Sequence, residues 1–527
     1  MQHVINDFTI MDAVQKLPIG IQDFEKLRKQ GFLYVDKTRL VYNLVNGGSY
    51  YFLSRPRRFG KSLLISTIKA YFQGKKDLFK GLAIEQLEKD WTEHPVLHLD
   101  LNTEKYENSL SLERKLDAQL KLWEMQYPTG FETYSHGIRF ERVIETAYKK
   151  TGQRVVILVD EYDKPLLQAI GNDELQEQYR GILKGFYGAL KSMDGCIKFA
   201  MLTGVTKFGK VSVFSDLNHL DDISMSLPYY DICGVTEEEL LSCFRPSIEA
   251  LAASQNQTVE ESIETLRVRY DGYHFMENAK GVYNPFSLLN TLNKQKYGSY
   301  WFETGTPTYL VDLLQMHDYN LETMSRVETD EETLNSVDAN STNPIPVIYQ
   351  SGYLTIKDFD SRFQIYTLGF PNKEVEEGFT KFLLPCYTSR RKDQTAFDVK
   401  YFVMDVERGN TEQFLKRLRS LFADTPYELV KNLENHYQNV IWLLFKLLGF
   451  YVQAEYHTSE GRIDLVLQSP LFCYVMEFKL DGTAEEALTQ IEDKHYTLPF
   501  DTTGRQIIRI GMNFDSNTRN IEKWIIG

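Results

Sequence analysis

The sequence predicts an α/β protein in which a parallel sheet with a phosphate-binding loop is followed by helices and by a second, smaller α/β domain. Residues 50–71 read as a strand, a loop ending in Gly-Lys-Ser, and a helix. Residues 154–163 read as a buried parallel strand that ends in acids. Residues 461–480 alternate as two strands around a proline turn. These three stretches predict the fold class.

Length and composition indicate a soluble protein of several domains. The chain has 527 residues, 43% hydrophobic and 25% charged, so we expect about two to four domains. The first residues lack the features of a signal peptide, and the apolar segment 439–452 is too short to span a bilayer. The five cysteines are scattered, as in reduced cytosolic proteins. We therefore expect a cytoplasmic protein with no membrane partner.

The stretch 50–71 predicts an ATP-binding loop. A Gly-Lys-Ser triplet at a helix start lets backbone N–H groups face an anion, while the lysine reaches the outer phosphates and the hydroxyl holds Mg²⁺. The predicted nucleotide-binding residues are Arg58, Phe59, Gly60, Lys61, Ser62 and Leu63, with Ser62 also a metal ligand. Arg55 stands where the usual pattern has glycine, and the loop arginines either hold a polyphosphate or contact something else. The alternative is a chance triplet on a basic surface turn.

The acids after the strand at 155–159 predict the hydrolytic half of the same site. Ligands bind at the carboxyl ends of parallel strands. Asp160 is expected to hold Mg²⁺ through water, and Glu161 to polarise the attacking water. For Asp163, the alternative to a role in the site is that its carboxylate caps the next helix.

Further strands of this sheet are expected downstream. Thr203 ends the next strand and either senses the terminal phosphate or is an ordinary turn residue. Residues 229–234 are predicted as the last strand of the sheet. Thr236 and Glu239 then form a capping box that begins a mostly helical lid.

Several motifs of the chain resemble those of the bacterial AAA-ATPase-like family. They read LPIGIQDFEKLR, YVDKT, FLSRPRRFGKSLL, VVILVDEYDKP, LTGVTKFGKVSVFSDLN, YDGYHF and VYNPFSLLN. The resemblance covers nearly the whole chain, and in this family an arginine at position 55 is the usual form of the loop. It implies a P-loop sheet of the additional-strand (ASCE) class, AAA-like, joined to a C-terminal nuclease-like domain. The sequence itself identifies no arginine finger, and a neighbouring subunit of a homo-oligomer is one source of such a group.

The predicted domains are an ATPase core, a lid, a connector and a nuclease-like domain. Their ranges are 1–235, 236–335, 336–400 and 401–527. The connector carries alternating strands around 358–361, which resemble the wing of a winged-helix module. Winged helices often bind DNA, but we favour packing against the nucleotide domain.

The hairpin at 461–480 predicts a metal site. If its turn centres between residues 470 and 471, Asp464 faces Glu477, and Lys479 points to the same side. Facing carboxylates repel unless a cation lies between them, and hard oxygen ligands suit Mg²⁺ or Mn²⁺. Such a metal activates water for phosphodiester cleavage while Lys479 steadies the developing charge. The alternative is an edge strand decorated with charges.

This D…ExK pattern resembles the PD-(D/E)XK nuclease superfamily. The resemblance adds Gln490, on the predicted helix 483–494, to the catalytic residues, and Glu434, on the preceding helix, to the metal ligands. Two functions stay open. The first is an ATP-driven, metal-dependent nuclease that acts on DNA; the second is a nucleotide-controlled switch or scaffold whose nuclease-like domain only binds. The intact sets Asp160–Glu161 and Asp464, Glu477 and Lys479 favour the first. The net charge of −14 favours the second, because nucleic-acid binders usually carry a basic surface.

Overall fold

The computed structural model of the protein describes residues 16–207, 220–303, 308–335, 343–388, 395–423, 433–449, 453–459 and 462–527. The chain divides into two compact units. The first comprises Met1–Thr304 and Glu328–Asn372, and the second comprises Gly305–Val327 and Lys373–Gly527. Among the described helices, none combines the length and the apolar character that crossing a membrane requires.

The strands, in chain order, are β1 (Tyr50–Ser54), β2 (Val96–Asp100), β3 (Val155–Asp160), β4 (Ile197–Gly204), β5 (Asp221–Asp222), β6 (Val327–Asp330), β7 (Thr355–Asp360), β8 (Ile365–Gly369), β9 (Gln453–Ser459), β10 (Arg462–Gln468), β11 (Phe472–Leu480), β12 (Gln506–Asp515) and β13 (Asn520–Ile526).

The helices are α1 (Phe24–Lys29), α2 (Thr38–Gly47), α3 (Lys61–Phe72), α4 (Ala83–Leu87), α5 (Ser109–Gln126), α6 (His136–Thr151), α7 (Lys164–Gln168), α8 (Asp173–Ser192), α9 (Glu237–Cys243), α10 (Arg245–Gln255), α11 (Val259–Tyr270), α12 (Pro285–Lys294), α13 (Tyr300–Glu303), α14 (Thr308–Met316), α15 (Glu331–Asn335), α16 (Ile345–Gln350), α17 (Lys373–Tyr387), α18 (Thr395–Glu407), α19 (Thr411–Ala423), α20 (Leu433–Gly449) and α21 (Ala484–Asp493).

The first unit contains a parallel sheet of the additional-strand type. In the part of the chain that the structure describes, its order is β2-β3-β4-β1-β5. Strand β4 pairs in parallel with both β1 and β3, so it separates the strand before the phosphate loop from the strand before the acids. All residues of β1 and β3 are buried, which explains their continuous apolar runs. The predicted fold class is confirmed here.

The last strand of this sheet is not where the sequence predicted it. Asp221–Asp222 pairs with β1 as β5, whereas residues 227–229 form a short 3₁₀ helix and residues 230–234 are irregular. The predicted strand at 229–234 is therefore wrong.

The lid begins at the predicted capping box. Thr236 Oγ1 accepts from the Glu239 amide at 3.2 Å, and Glu239 Oε2 accepts from the Thr236 amide at 2.8 Å. Helices α9 to α12 pack around an apolar core that includes Phe244 and Leu288. Lys37 forms an ion pair of 2.6 Å with the same Glu239, which joins the lid to the chain before α2.

A winged-helix-like arrangement follows the lid. Helices α15 and α16 precede the hairpin β7–β8, and the three-stranded sheet has the order β6-β8-β7. The hairpin turn lies at 361–364, a few residues beyond the predicted position. The hairpin itself is confirmed.

The second unit contains a mixed sheet in the order β13-β12-β11-β10-β9. Strands β9, β10 and β11 are antiparallel, whereas β11 and β12 are parallel and are connected through α21. A parallel pair requires such a crossover. Thr483 caps helix α21 and forms a capping box with Glu486, which agrees with the helix predicted over 483–494. This sheet is the predicted C-terminal α/β domain.

Candidate nucleotide and nuclease sites

The phosphate loop lies between β1 and α3. Gly60 has φ +96° and Arg58 has φ +68°, so the loop turns sharply before α3 begins at Lys61. Gly60 adopts this conformation without a Cβ clash. Lys61 Nζ donates to the carbonyl oxygens of Arg55 at 3.0 Å and Pro56 at 3.3 Å. The lysine thus lies across its own loop, above the amino end of α3, where the helix favours an anion.

The predicted acids lie at the same edge of the sheet. Glu161 Oε1 is 3.7 Å from Lys61 Nζ, and Glu161 has φ +55°, which is uncommon for a residue other than glycine. Asp160 is 5% exposed, and its Oδ1 accepts from Thr203 Oγ1 at 2.7 Å and from the Glu161 amide at 3.1 Å. The structure therefore brings Lys61, Asp160, Glu161 and Thr203 together. Their hard oxygen donors fit Mg²⁺.

Asp163 anchors the loop after β4 and does not cap a helix. Its side chain makes no capping bond to α7. It accepts instead from the Val205 amide at 3.0 Å and from the Thr206 amide and hydroxyl at 2.6 Å each. Burial and the nearby Glu161 carboxylate raise the pKa of Asp163 to about 6, against the opposing effect of the Thr206 bonds. A Cβ on Gly204 would lie 2.5 Å from Asp163 Oδ1, so the loop is closely fitted.

Arg55 points into the protein. It is 1% exposed and donates to the carbonyl oxygens of Ser224 at 2.8 Å and Tyr229 at 3.2 Å. Its guanidinium carbon is 4.0 Å from the Phe275 ring centroid. Burial lowers the pKa of Arg55. Of the two alternatives left open, contact with another part of the protein is the one observed.

Aromatic side chains from the lid hold the rest of the loop. The ring of Phe59 is 4.7 Å from that of Tyr273, and Trp301 Nε1 donates to the Arg57 carbonyl at 2.9 Å. The guanidinium of Arg58 is exposed and lies 5.0 Å from the Phe286 ring. The sequence spacing of these aromatic residues does not indicate that they pack onto this loop.

An apolar pocket opens beside the loop, with a volume of about 100 Å³. Gly60, Leu63 and Leu64 form one wall, and Val35, Cys233 and Leu289 contribute to the others. Burial raises the pKa of the Cys233 thiol, which keeps it protonated. An apolar pocket next to a phosphate loop suits a nucleotide base.

In the second unit, the hairpin register is the predicted one. Asp464 pairs with Glu477 across β10 and β11. Glu477 is fully buried, Lys479 Nζ lies 3.3 Å from its Oε1, and Lys479 also donates to Gln490 Oε1 on α21. Glu477, Lys479 and Gln490 therefore meet in one place. The side chains of Asp464 and Glu434 lie outside the described residues.

The described side chains alone do not complete a metal site. Among them, no group of three or more histidine, cysteine, aspartate or glutamate residues could hold a metal ion. The backbone pairing places Asp464 opposite Glu477, so two acids share one end of this hairpin. Paired carboxylates are the donor type that Mg²⁺ or Mn²⁺ prefers.

Gly511 allows α21 to lie close to the sheet. Its backbone pairs in register with Glu477, and a Cβ would lie 2.2 Å from the Ala484 carbonyl oxygen and 2.5 Å from the Leu488 nitrogen. Real side chains never approach backbone atoms so closely. The glycine therefore sets the distance between Lys479 and Gln490.

Gly511→Ala is expected to displace α21 and to lower the free energy of unfolding of this sheet by about 1–3 kcal/mol. Hydrogen exchange of the β12 amides measures the effect. Gly188→Ala is the matched control, because Gly188 lies within α8 and has no atom within 4 Å of the added Cβ. Equal protection of β12 in wild type and Gly511→Ala would show that the helix does not depend on this glycine.

Comparisons with known proteins match both units. The profile of the AAA-ATPase-like family (Predicted AAA-ATPase) matches residues 18–214, and that of the PD-(D/E)XK nuclease superfamily matches residues 432–524. A curated relative, "Uncharacterized protein in vnfD 5'region" of Azotobacter chroococcum mcd 1, is 34% identical over 530 residues, covering 97% of this chain and 99% of the relative. The solved structure of the Aeropyrum pernix ORC2 protein (ADPNP-ADP complexes) matches 64% of this chain and 87% of its own, with 10% identity and a TM-score of 0.19.

The fold and the two sites define an AAA-ATPase-like domain joined to a nuclease-like domain. The strand order of the parallel sheet is typical of the AAA-ATPase-like domain. The mixed sheet with its Glu477–Lys479 pair is typical of the nuclease-like domain. The chain belongs to the AAA-ATPase-like family and carries a PD-(D/E)XK nuclease superfamily domain at its C-terminal end.

Proposed function

We propose that the protein binds and hydrolyses ATP at the end of β1, β3 and β4, and that this activity controls a metal-dependent DNA nuclease. The convergence of Lys61, Asp160, Glu161 and Thr203 carries the first half of the proposal. Lys61 holds the outer phosphates, Ser62 and Asp160 hold Mg²⁺, and Glu161 orients the attacking water. Thr203 exchanges its bond to Asp160 for one to the terminal phosphate. Mg²⁺, when bound, neutralises charge on the phosphate oxygens.

The pocket beside Gly60 supports ATP as the ligand, because its apolar walls suit a purine. Leu289 lines the pocket and is half-buried, so a larger side chain there can fill the space without disturbing the sheet.

Leu289→Trp is expected to raise the dissociation constant for a fluorescent ATP analogue by roughly tenfold or more, since filling the pocket removes the burial of the base. A titration measures the change. The control is Leu241→Trp, on the exposed side of α9, which lies outside the pocket. Unchanged affinity in Leu289→Trp would place the base elsewhere.

The nuclease half of the proposal rests on the buried Glu477 beside Lys479. With Asp464, and with Glu434 from the preceding helix, Glu477 would hold Mg²⁺ or Mn²⁺, and Lys479 and Gln490 would orient water and phosphate. The acidic net charge supports the alternative of a nucleotide-controlled switch that does not cut DNA.

The experiment that distinguishes the nuclease from the nucleotide-controlled switch is cleavage of plasmid and linear DNA with Mg²⁺ or Mn²⁺, with and without ATP. Under the proposal, wild type cuts DNA and Lys61→Ala loses the ATP dependence. ATP turnover without cleavage under any condition would favour the switch, and a DNA-binding assay over a range of salt would then test whether the phosphates are contacted at all.

A further inference from the structure

The loop after β4 leads directly from the nucleotide site to the winged-helix-like segment. Lys207, at its end, is 5% exposed, and its amide donates to Gln350 Oε1 at 2.6 Å. Its ammonium group lies 2.6 Å from Asn335 Oδ1 and 2.9 Å from Asp222 Oδ2. Asn335 and Gln350 end helices α15 and α16. One residue therefore bonds to both helices of this segment.

The loop is stiff between Thr203 and Lys207. Asp163 binds two amides and a hydroxyl of residues 205 and 206, and the Tyr162 hydroxyl donates to the Thr206 carbonyl at 2.8 Å. Gly204 has no room for a side chain. These contacts hold residues 203–207 together, so we expect a small shift at Thr203 to reach Lys207, because closely packed elements move as units.

Helix α16 is not available for reading DNA. Its residues Ile345, Val347, Ile348 and Gln350 are buried. Gln350, Arg55 and Lys207 line one cavity together with Tyr349, so α16 lies against the start of the phosphate loop. The helix packs against the nucleotide-binding domain of its own chain, which is consistent with the packing role expected from the sequence.

We propose that Lys207, Gln350 and Asn335 form a relay that reports occupancy of the ATP site to α15 and α16. The inference rests on the proposed ATP site. When Thr203 Oγ1 leaves Asp160 for the terminal phosphate, the end of β4 moves, and the Lys207 amide moves the Gln350 side chain with it. Gln350 Nε2 donates to the Leu334 carbonyl at 2.5 Å, so the same side chain bonds to α15 as well as to the loop.

The test is hydrogen exchange of residues 345–356 with and without ATPγS and Mg²⁺. In wild type, nucleotide is expected to change the exchange rates there by about fivefold or more, the lower end of usual coupling between sites. The double variant Gln350→Met/Asn335→Ala leaves the buried Lys207–Asp222 pair in place and is expected to abolish this change. Its affinity for a fluorescent ATP analogue is expected to stay within about twofold of wild type. Glu332→Ala, an exposed position on α15, is the matched control.

The outcomes separate the relay from the ATP site. Nucleotide binding without any change at 345–356 in wild type overturns the relay and leaves the ATP site standing. A change that persists in the double variant also overturns it. Absence of binding in wild type, seen directly in the titration, overturns the ATP site and the relay with it. If the double variant does not fold, the single variant Asn335→Ala replaces it, because Asn335 is only half-buried. A nucleotide-dependent change at 345–356 that persists in this variant overturns the relay.

Discussion

Glu161→Gln is expected to reduce ATP hydrolysis by about 10²–10⁴-fold, because it removes the carboxylate that we propose as the group that polarises the attacking water. Binding of ATP is expected to be kept or strengthened. In the structure the Glu161 carboxylate lies 3.7 Å from Lys61 Nζ and so competes with phosphate for the lysine. Glutamine has the same shape and no charge, which frees Lys61. Phosphate release measures hydrolysis, and titration with a fluorescent ATP analogue measures binding.

The unusual backbone of Glu161 strengthens this expectation. A residue other than glycine held at φ +55° costs about 1–3 kcal/mol, which surrounding structure must offset, and such residues cluster at functional sites. Glu174→Gln, in the first turn of α8, is the control and is expected to hydrolyse ATP like wild type. Loss of binding together with hydrolysis in Glu161→Gln would mean that this glutamate builds the site and does not act on water.

Glu477→Gln is expected to reduce the rate of DNA cleavage by at least ~100-fold and to leave ATP hydrolysis unchanged. Removing a group that only orients a metal ligand already lowers metal affinity or activity by about 10–100-fold, so removing a ligand itself should lower activity further. Glu477 is fully buried with Lys479 3.3 Å away, and amide replacement leaves that lysine without its charge partner. Cleavage of plasmid DNA with Mg²⁺ or Mn²⁺ is the measurement.

Glu485→Gln is the matched control for this variant. Glu485 lies in the first turn of α21, is exposed, and forms an ion pair with Lys523 at the surface. It is not one of the residues proposed to act in cleavage. It is expected to cut DNA at the wild-type rate. Cleavage that survives in Glu477→Gln would remove this hairpin from the reaction and favour the switch. A melting temperature equal to that of wild type is required of both variants before their activities are compared.

Local patterns in the sequence were sufficient for the main elements. The Gly-Lys-Ser triplet and the acids after β3 each follow an apolar run within a few residues, so their positions at strand ends need no knowledge of distant segments. The pairing of Asp464 with Glu477 is confirmed because the length of a hairpin turn fixes the register of both strands. The capping box at Thr236 is confirmed for the same local reason.

Other features depended on segments that meet only in the folded chain. Arg55 binds carbonyl oxygens 169 and 174 residues further on, so its direction could not be read from the loop itself. The short strand β5 was missed because two residues carry no periodic pattern. Asp163 looked like a cap, since the helix after it is adjacent in sequence, whereas its true partners follow β4.

The sequence alone therefore determined which residue types stand at the ends of β1, β3 and β4 and across the C-terminal hairpin. The tertiary structure decided what surrounds them: the lid aromatics on the phosphate loop, the Asp163 anchor, and the contact of Lys207 with α15 and α16. The physical reason is that spacing along the chain encodes hydrogen bonding and periodicity over a few residues. Burial of a polar group, in contrast, requires partners that only the packing of distant elements supplies.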